Sequence, residues 1–111
     1  MSDWRYTYGA TVDRVIDGDT VVLLVDLGFH IQAKETFRLH GLNAPEVRGA
    51  EREEGLRSEA WLIGQLSGLT HIQTLKDKMG KYGRYLVELF DGDGSINQRM
   101  IAEGFAEARE Y

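Results

Sequence analysis

Several residue types are absent or scarce in this sequence of 111 residues, and each absence excludes a class of protein. Without cysteine, the chain has no disulfide bond, no thiol nucleophile and no cysteine-bound zinc. Its three histidines are scattered and lack the short spacing of a metal site. No apolar run approaches the roughly 20 residues of a membrane span. With one proline and no low-complexity tract there is no candidate linker, so residues 1–111 are expected to form one domain.

The N-terminus also lacks the apolar stretch of a signal peptide. The sequence as it stands therefore predicts a cytoplasmic protein, and a secreted protein whose signal has been removed is the alternative. Residues 1–8 are expected to form a flexible N-terminal segment. The formal net charge of −5 argues against a protein that coats DNA through charge alone. It is compatible with an enzyme that concentrates positive charge at one site.

What the sequence does contain is a series of short β-branched and apolar segments separated by glycine. Residues 10–16 and 20–26 are predicted strands, joined by the turn Asp17-Gly18-Asp19. Alternation of apolar and polar residues predicts a third strand over residues 29–39, with Arg38 on its solvent face. The buried face of that strand would carry Phe29, Ile31, Ala33, Phe37 and Leu39.

The second half of the chain alternates between helices and strands. A long polar loop over residues 41–55 leads into a helix that ends near Gly68. Strands are predicted over residues 70–76 and 84–90, and a short helix follows with Ser95 as its N-cap in a capping box. The apolar stripe of the first helix would consist of Leu56, Ala60, Ile63 and Leu66.

Three strands, a helix, two strands and a helix are typical of the OB-fold, a five-stranded Greek-key barrel. The predicted class is therefore mainly β with helices, α+β, with two helices. A small α+β sandwich is the alternative arrangement of the same elements. Fold alone does not define function.

Three local features could carry chemistry. Asp17 and Asp19 flank one glycine, a pattern typical of a hairpin turn, but paired carboxylates also suit a hard cation such as Ca²⁺. Glu46 lies in the polar loop, where an isolated glutamate is most often a solubilising charge. Residues 76–84 carry a local charge of +3 and include Tyr82, which fits either a solvated loop or a contact with phosphate and base.

Taken in order along the chain, these features resemble the staphylococcal nuclease, or thermonuclease-like, family. The resemblance covers about residues 9–106, nearly the whole chain. It is carried by a series of short blocks in the family's order and spacing. These blocks are Asp17-Gly18-Asp19-Thr20, Phe37-Arg38-Leu39, Gly41-Leu42-Asn43-Ala44-Pro45-Glu46, Lys81-Tyr82-Gly83-Arg84-Tyr85-Leu86, Ile96-Asn97 and Glu103-Gly104-Phe105-Ala106.

The resemblance implies an OB-fold phosphodiesterase that requires Ca²⁺ and cleaves DNA and RNA by in-line attack of water, releasing the 5′-oxygen. It assigns catalysis to Arg38 and Arg84, which would grip the phosphate, and to Glu46, which would position or activate the water. The implied metal ligands are Asp19, Asn43 and the Ala44 carbonyl, with Asp17 beside them. The implied nucleotide contacts are Lys81, Tyr82 and Leu86.

Two departures from the family pattern affect these expectations. Asn43 stands where the family has an aspartate, which removes one negative charge from the metal ligands and predicts weaker Ca²⁺ binding. The family often carries a further helix after the last block, and that helix is lacking in this sequence. Either the sequence is a trimmed form, or the domain is a minimal version, or a partner or a second copy of the chain covers the face that this helix would occupy.

Three functions compete on this basis. The first is a metal-dependent nuclease acting on single-stranded or frayed DNA and RNA. The second is a catalytically weak or inactive domain of the same fold that binds nucleic acid or protein. The third is an unrelated OB-fold subunit. Retention of Asp19, Arg38, Glu46 and Arg84 together favours the nuclease, whereas the exchange at Asn43 favours the binding domain.

Overall fold

The computed structural model describes residues 5–79 and 84–109. Its first three strands, β1 (Arg5–Asp17), β2 (Thr20–Asp26) and β3 (Gln32–Leu39), form an antiparallel meander. The two-residue turn between β1 and β2 places Asp17 opposite Thr20, as expected for a hairpin with this Asp-Gly sequence. The register of β2 with β3 places Thr20 opposite Arg38. The same end of the meander therefore carries the turn and the arginine.

After a two-residue strand, β4 (Leu42–Asn43), the chain forms a 3₁₀ turn over Gly49–Glu51 and then helix α1 (Arg52–Leu66). Strands β5 (His71–Met79) and β6 (Tyr85–Asp91) follow and pair with each other in antiparallel orientation. The remaining elements are β7 (Gly94–Ser95), α2 (Ile96–Ala102) and β8 (Glu107–Ala108).

The sheet closes on itself through one parallel pair. Its order is β3-β2-β1-β5-β6-β7, and β3 also pairs with β6, which joins the two sides of the sheet. The described residues thus form a closed five-stranded barrel with two helices, which confirms the predicted OB-fold of the α+β class. The parallel pairing places Arg38 opposite Leu86, so that the start of β6 lies beside the end of β3.

The barrel interior and the faces of both helices share one hydrophobic core. Burial of these apolar side chains supplies most of the driving force for folding, at about 25 cal/mol for each Å² removed from water. The two helices contribute Leu62, Leu66, Ile96 and Met100 to the core. The barrel side chains in the same cluster include Val21, Leu23, Val25, Phe37, Leu39, Ile72, Val87 and Leu89.

The third strand is shorter than its alternation predicted. It begins at Gln32 rather than residue 29, because the chain makes a wide turn in which Phe29 and His30 have positive φ angles of 56° and 62°. Phe29 is 93% exposed and Ile31 is 54% exposed, so the prediction that both lie on the buried face was wrong. Positive φ at a bulky residue is uncommon, and the alternation pattern carries no information about it.

The apolar stripe predicted for the first helix was also largely wrong. Leu66 is buried, but Ile63 is 53% exposed and Leu56 is at the limit of exposure. The buried face of α1 is instead formed by Gly55, Ser58, Leu62 and Leu66. This face is small at its N-terminal end because α1 packs there against the backbone of Glu46 and Val47.

Helix α2 is fixed to the barrel by polar contacts at its first turn. Ser95 is the N-cap, as predicted, and its hydroxyl accepts the Gln98 N–H at 3.1 Å. Asn97 is fully buried and bonds three backbone groups at 3.0 Å each: it accepts from Leu89 N–H and donates to the carbonyls of Val87 and His40. It therefore ties α2 to β6 and to the chain that leaves β3.

The expected flexible segment over residues 1–8 divides into two parts. Residues 1–4 lie outside the described residues, whereas residues 5–8 belong to β1 and pair with residues 72–75 of β5. In the described part of the chain, no helix is both long enough and apolar enough to cross a membrane.

Candidate active site

The turn between β1 and β2 supplies two carboxylates to one end of the barrel. Asp19 is buried, and its carboxylate accepts the Ala44 N–H at 3.0 Å and the Thr20 hydroxyl at 3.1 Å. The space around Gly18 is tight, because a Cβ there would lie 3.0 Å from both Ala44 Cβ and Ser58 Cβ. The turn is therefore pressed against the loop after β4 and against α1.

Arg38 lies at the same end of the barrel and joins two of the predicted metal ligands. Its Nη2 atom donates to Asn43 Oδ1 at 2.7 Å and lies 3.4 Å from Asp19 Oδ2. The residue is only 8% exposed, so its predicted position on the solvent face of a half-buried strand was wrong. The reason is barrel closure: β6 and the chain after β3 cover this end of the strand.

The loop after β4 brings Ala44, Pro45 and Glu46 to the site. Its entry is held by β4, which pairs with β8 so that Asn43 lies opposite Glu107. Its exit is held by the 3₁₀ turn, since the Glu46 N–H donates to Glu51 Oε1 at 3.3 Å. The Glu46 side chain is exposed at the rim.

These groups line one polar cavity of about 250 Å³. Arg84 enters it from the residue directly before β6, and Arg109 enters it from the residue directly after β8. The lining thus combines four carboxylates with three guanidinium groups. The lining residues are Asp17, Asp19, Thr20, Arg38, Asn43, Ala44, Pro45, Glu46, Glu51, Arg84 and Arg109.

The pKa of Asp17 reflects the burial and the charges around this carboxylate. Its pKa is raised, first because burial disfavours the charged carboxylate and second because Asp19 and, more weakly, Glu46 repel it. The positive charge of Arg48 and a hydrogen bond from the Val47 N–H partly oppose this rise. Asp19 and Glu46 thus place negative charge beside Asp17, and a cation bound there would offset this repulsion.

The oxygen donors fit a hard cation. Asp19 Oδ2 and Asn43 Oδ1 both lie close to the Nη2 atom of Arg38. The two oxygens therefore already face one positively charged group. Carboxylate, carboxamide and backbone carbonyl oxygens are the ligands that Ca²⁺ prefers. Within the described ranges, no three acidic or histidine side chains form a metal cluster by themselves. A cation here would consequently depend on Asn43 and on backbone oxygen as well as on Asp19.

The structure brings together seven of the ten residues that the sequence analysis assigned to the site. Leu86 is not among them: it is 2% exposed and does not line the cavity. Lys81 and Tyr82 lie outside the described residues. The cavity also contains Glu51 and Arg109, which no motif of the sequence identified as site residues. Arg109 reaches the cavity through the pairing of β4 with β8, two strands of two residues that leave no periodic pattern in the sequence.

A closed five-stranded barrel with a cavity of carboxylates and arginines at one end defines an OB-fold protein with a polar site at the barrel rim. Comparison with known proteins narrows this class. The family model described as Staphylococcal nuclease homologue matches residues 36–111, and the chain belongs to that family.

One relative supports the assignment over a longer stretch. A thermonuclease of Staphylococcus intermedius is 32% identical to this chain over 107 residues. The match covers 90% of this chain and 59% of that protein, so the chain spans less than two thirds of its relative's length.

Proposed function

We propose that this protein is a Ca²⁺-dependent phosphodiesterase that hydrolyses DNA and RNA, acting on single-stranded or frayed segments. The observation that carries the proposal is the cavity in which Arg38 and Arg84 lie with Glu46 and Asp19. These groups supply the two requirements of phosphodiester hydrolysis, charge neutralisation at the phosphate and an acceptor for the proton of the attacking water.

The two arginines would bind the scissile phosphate. A guanidinium group offers a planar fork of donors that matches two phosphate oxygens, and its bonds strengthen as negative charge develops in the transition state. Arg38 comes from β3 and Arg84 from the start of β6, whose parallel pairing holds the two side chains at one rim. Because Arg38 is buried, water would screen its interaction with a phosphate less than at an exposed site.

Glu46 would act as the general base. The oxygen of a water molecule forms a bond to phosphorus, the bond from phosphorus to the 5′-oxygen breaks, and the water proton passes to the Glu46 carboxylate. The departing oxygen takes a proton from solvent. Glu46 suits this role because its exposed position at the cavity rim keeps the carboxylate accessible to water.

Asp19, Asn43 and the Ala44 carbonyl would hold Ca²⁺, with Asp17 beside them. The ion would supply Lewis-acid stabilisation of phosphate charge when bound. Because Asn43 is neutral, we expect the ion to bind more weakly than it would to a set with two carboxylates.

A binding domain without catalysis is the second candidate, and one observation favours it. Arg38 is already bonded to Asn43 and lies against Asp19, so its guanidinium is partly engaged within the protein. In a domain that only binds nucleic acid, such contacts would serve the structure, and no hydrolysis would follow.

The deciding experiment is incubation of the purified chain with single-stranded DNA and RNA oligonucleotides, in Ca²⁺ and in a chelator. We expect fragments with 5′-hydroxyl ends in Ca²⁺ and none in the chelator. Glu46→Gln should abolish cleavage while leaving binding intact. Binding of the oligonucleotides without cleavage by the parent chain would instead identify the binding domain.

A further inference from the structure

The backbone of Glu46 and Val47 is held from three directions. The Glu46 N–H donates to Glu51 Oε1 at 3.3 Å, and the Val47 N–H donates to the Asp17 carboxylate. The Glu46 carbonyl lies against Gly55 of α1. An ideal Cβ built on Gly55 would lie 2.0 Å from Glu46 O, 2.3 Å from its carbonyl carbon and 2.7 Å from Val47 N.

No side chain at position 55 is compatible with this contact. Cβ atoms in real structures essentially never approach another heavy atom within 3.0 Å, and here the nearest atoms belong to backbone rather than to a flexible side chain. Any residue other than glycine would therefore push the Glu46 peptide away by at least about 1 Å, since a 2.0 Å separation must open beyond 3.0 Å.

Comparison of the two glycines Gly55 and Gly64 within α1 indicates that Gly55 has a packing role. Glycine is less favourable than alanine in a helix interior, so α1 gives up stability at each of its glycines. Gly64 in the same helix is exposed, and a Cβ there would meet no atom within 4 Å. Gly55 is buried, and its missing side chain is the space that the Glu46 peptide fills.

We propose that Gly55 and Glu51 are positioning residues that set the Glu46 carboxylate at its place on the cavity rim. The inference rests on the proposed function, in which Glu46 receives the proton of the attacking water. Neither residue touches the reacting atoms. Gly55 fixes how closely the Glu46 peptide approaches α1, and Glu51 fixes the direction of its N–H. The start of α1 thus holds the general base in place.

The expected effect follows from the sensitivity of catalysis to geometry. A displacement of about 1 Å from the productive arrangement can lower a rate by about 10²-fold. Arg38 stands on β3 and Arg84 directly precedes β6, so both phosphate ligands should keep their places when α1 pushes the loop outward. Loss of the contacts that Gly55 and Glu51 make with the Glu46 peptide should therefore lower kcat and leave substrate binding nearly unchanged.

Gly55→Ala and Gly64→Ala form a matched pair, the same substitution in one helix with and without the contact. For each folded variant, kcat and KM should be measured on a single-stranded oligonucleotide. Exchange rates of the Glu46 and Val47 amide protons should be measured by NMR. We expect Gly55→Ala to lower kcat by about 10²-fold, to change KM less than about threefold and to accelerate exchange of both amides. Gly64→Ala should change none of these.

Glu51 gives a second test that does not depend on core packing, because its side chain is exposed. Glu51→Gln keeps a carbonyl oxygen that can accept the Glu46 N–H, whereas Glu51→Ala removes the acceptor. We expect Glu51→Ala to lower kcat by about tenfold and to accelerate Glu46 amide exchange, and Glu51→Gln to restore most of both.

Several results would overturn the inference. One is a folded Gly55→Ala variant with the parental kcat and the parental amide exchange. Another is an equal fall in kcat for Gly64→Ala, which would assign the effect to the helix as a whole. If the parent chain cleaves neither DNA nor RNA, the proposed function fails separately. Amide exchange in the glycine pair then still decides whether Gly55 holds the Glu46 peptide.

Discussion

Arg38 connects three parts of the chain through one side chain. It stands on β3, bonds Asn43 in β4 and lies against Asp19 in the first turn. A lysine at this position would offer a single ammonium group, whereas the guanidinium is a planar fork of donors that can match two phosphate oxygens. The residue is thus suited both to order the cavity and to bind a phosphate within it.

The first prediction concerns this arginine and its partner at the start of β6. Arg38→Ala and Arg84→Ala should each lower turnover by on the order of 10²-fold, because each removes a charged donor directed at the transition state. Arg→Lys at either position should restore little activity. Steady-state kinetics on an oligonucleotide would measure the effect, with Arg57→Ala on the exposed face of α1 as the control. A loss below about fivefold would exclude a catalytic role for that arginine.

Asn43 is the residue at which the proposed Ca²⁺ site is weakest. Its carboxamide oxygen accepts a short hydrogen bond from Arg38, but it carries no charge to offset a divalent ion. Ca²⁺ affinity depends on the number of charged ligands as well as on their geometry. A single substitution can therefore test whether this position contacts the metal.

The second prediction is that Asn43→Asp tightens Ca²⁺ binding, lowering Kd by about tenfold through the added ligand charge. Calorimetry would measure Kd directly and requires no catalytic activity. Gln32→Glu adds the same charge at the opposite end of β3, about 20 Å from Arg38 at 3.3 Å per residue, and should leave Kd unchanged. Equal affinities for the parent and Asn43→Asp would place the ion elsewhere.

At the scale of whole elements, sequence patterns predicted the number and order of the main strands and helices more reliably than their faces. The third strand illustrates the limit. Alternation from residue 29 onward suggested one continuous strand, yet the chain turns through left-handed backbone at Phe29 and His30. Helix α1 illustrates another limit, because its buried end faces the Glu46 peptide, and a close backbone contact requires glycine instead of an apolar stripe.

Helix α2 was better predicted because its signals are local. Ser95 and Gln98 identified its N-terminus, and the structure has that cap. Its attachment could not be predicted in the same way, since Asn97 bonds β6 and His40 across 10 and 57 residues of sequence. A buried amide with all of its partners on backbone fixes the orientation of the helix on the barrel.

The third prediction concerns this attachment. Asn97→Ala should lower the free energy of unfolding by about 2–4 kcal/mol, because it removes three hydrogen bonds and leaves buried backbone groups without partners. Urea denaturation would measure the change. The adjacent exposed residue gives the control, and Gln98→Ala should cost less than about 1 kcal/mol. A cost below about 1 kcal/mol for Asn97→Ala would mean that water replaces its contacts.

At the scale of the molecule, the site exists because the barrel closes. The parallel pairing of β3 with β6 brings residues 37–39 against residues 85–87, although almost 50 residues separate them in sequence. The family motifs predicted most of the cavity residues because they mark the turn, the loop and the strand ends that closure assembles. They could not predict Glu51 or Arg109, which depend on the 3₁₀ turn and on the β4–β8 pair.

An acidic molecule that binds a polyanion must do so through local charge. The net charge of −5 should weaken long-range attraction to nucleic acid, and the cavity itself contains four carboxylates beside its three arginines. In the sequence, positive charge is most concentrated over residues 76–84, which carry +3 in total and include Arg84 of the cavity. Neutralisation of about two to four phosphates is the most that such an arrangement would provide.

The last prediction is a shallow salt dependence of binding. Counterion release from single strands contributes about −0.7 per neutralised phosphate to the slope of log K against log salt, so we expect about −1.5 to −3 in total. A non-hydrolysable single-stranded oligonucleotide in chelator would isolate binding from cleavage. Arg109→Ala should reduce the magnitude of the slope by about 0.7, because its guanidinium lines the cavity. Arg14→Ala removes the same charge from an exposed position of β1 outside that lining and should leave the slope unchanged. A slope steeper than about −5, or equal effects of the two substitutions, would mean that nucleic acid binds over a broader surface than this cavity.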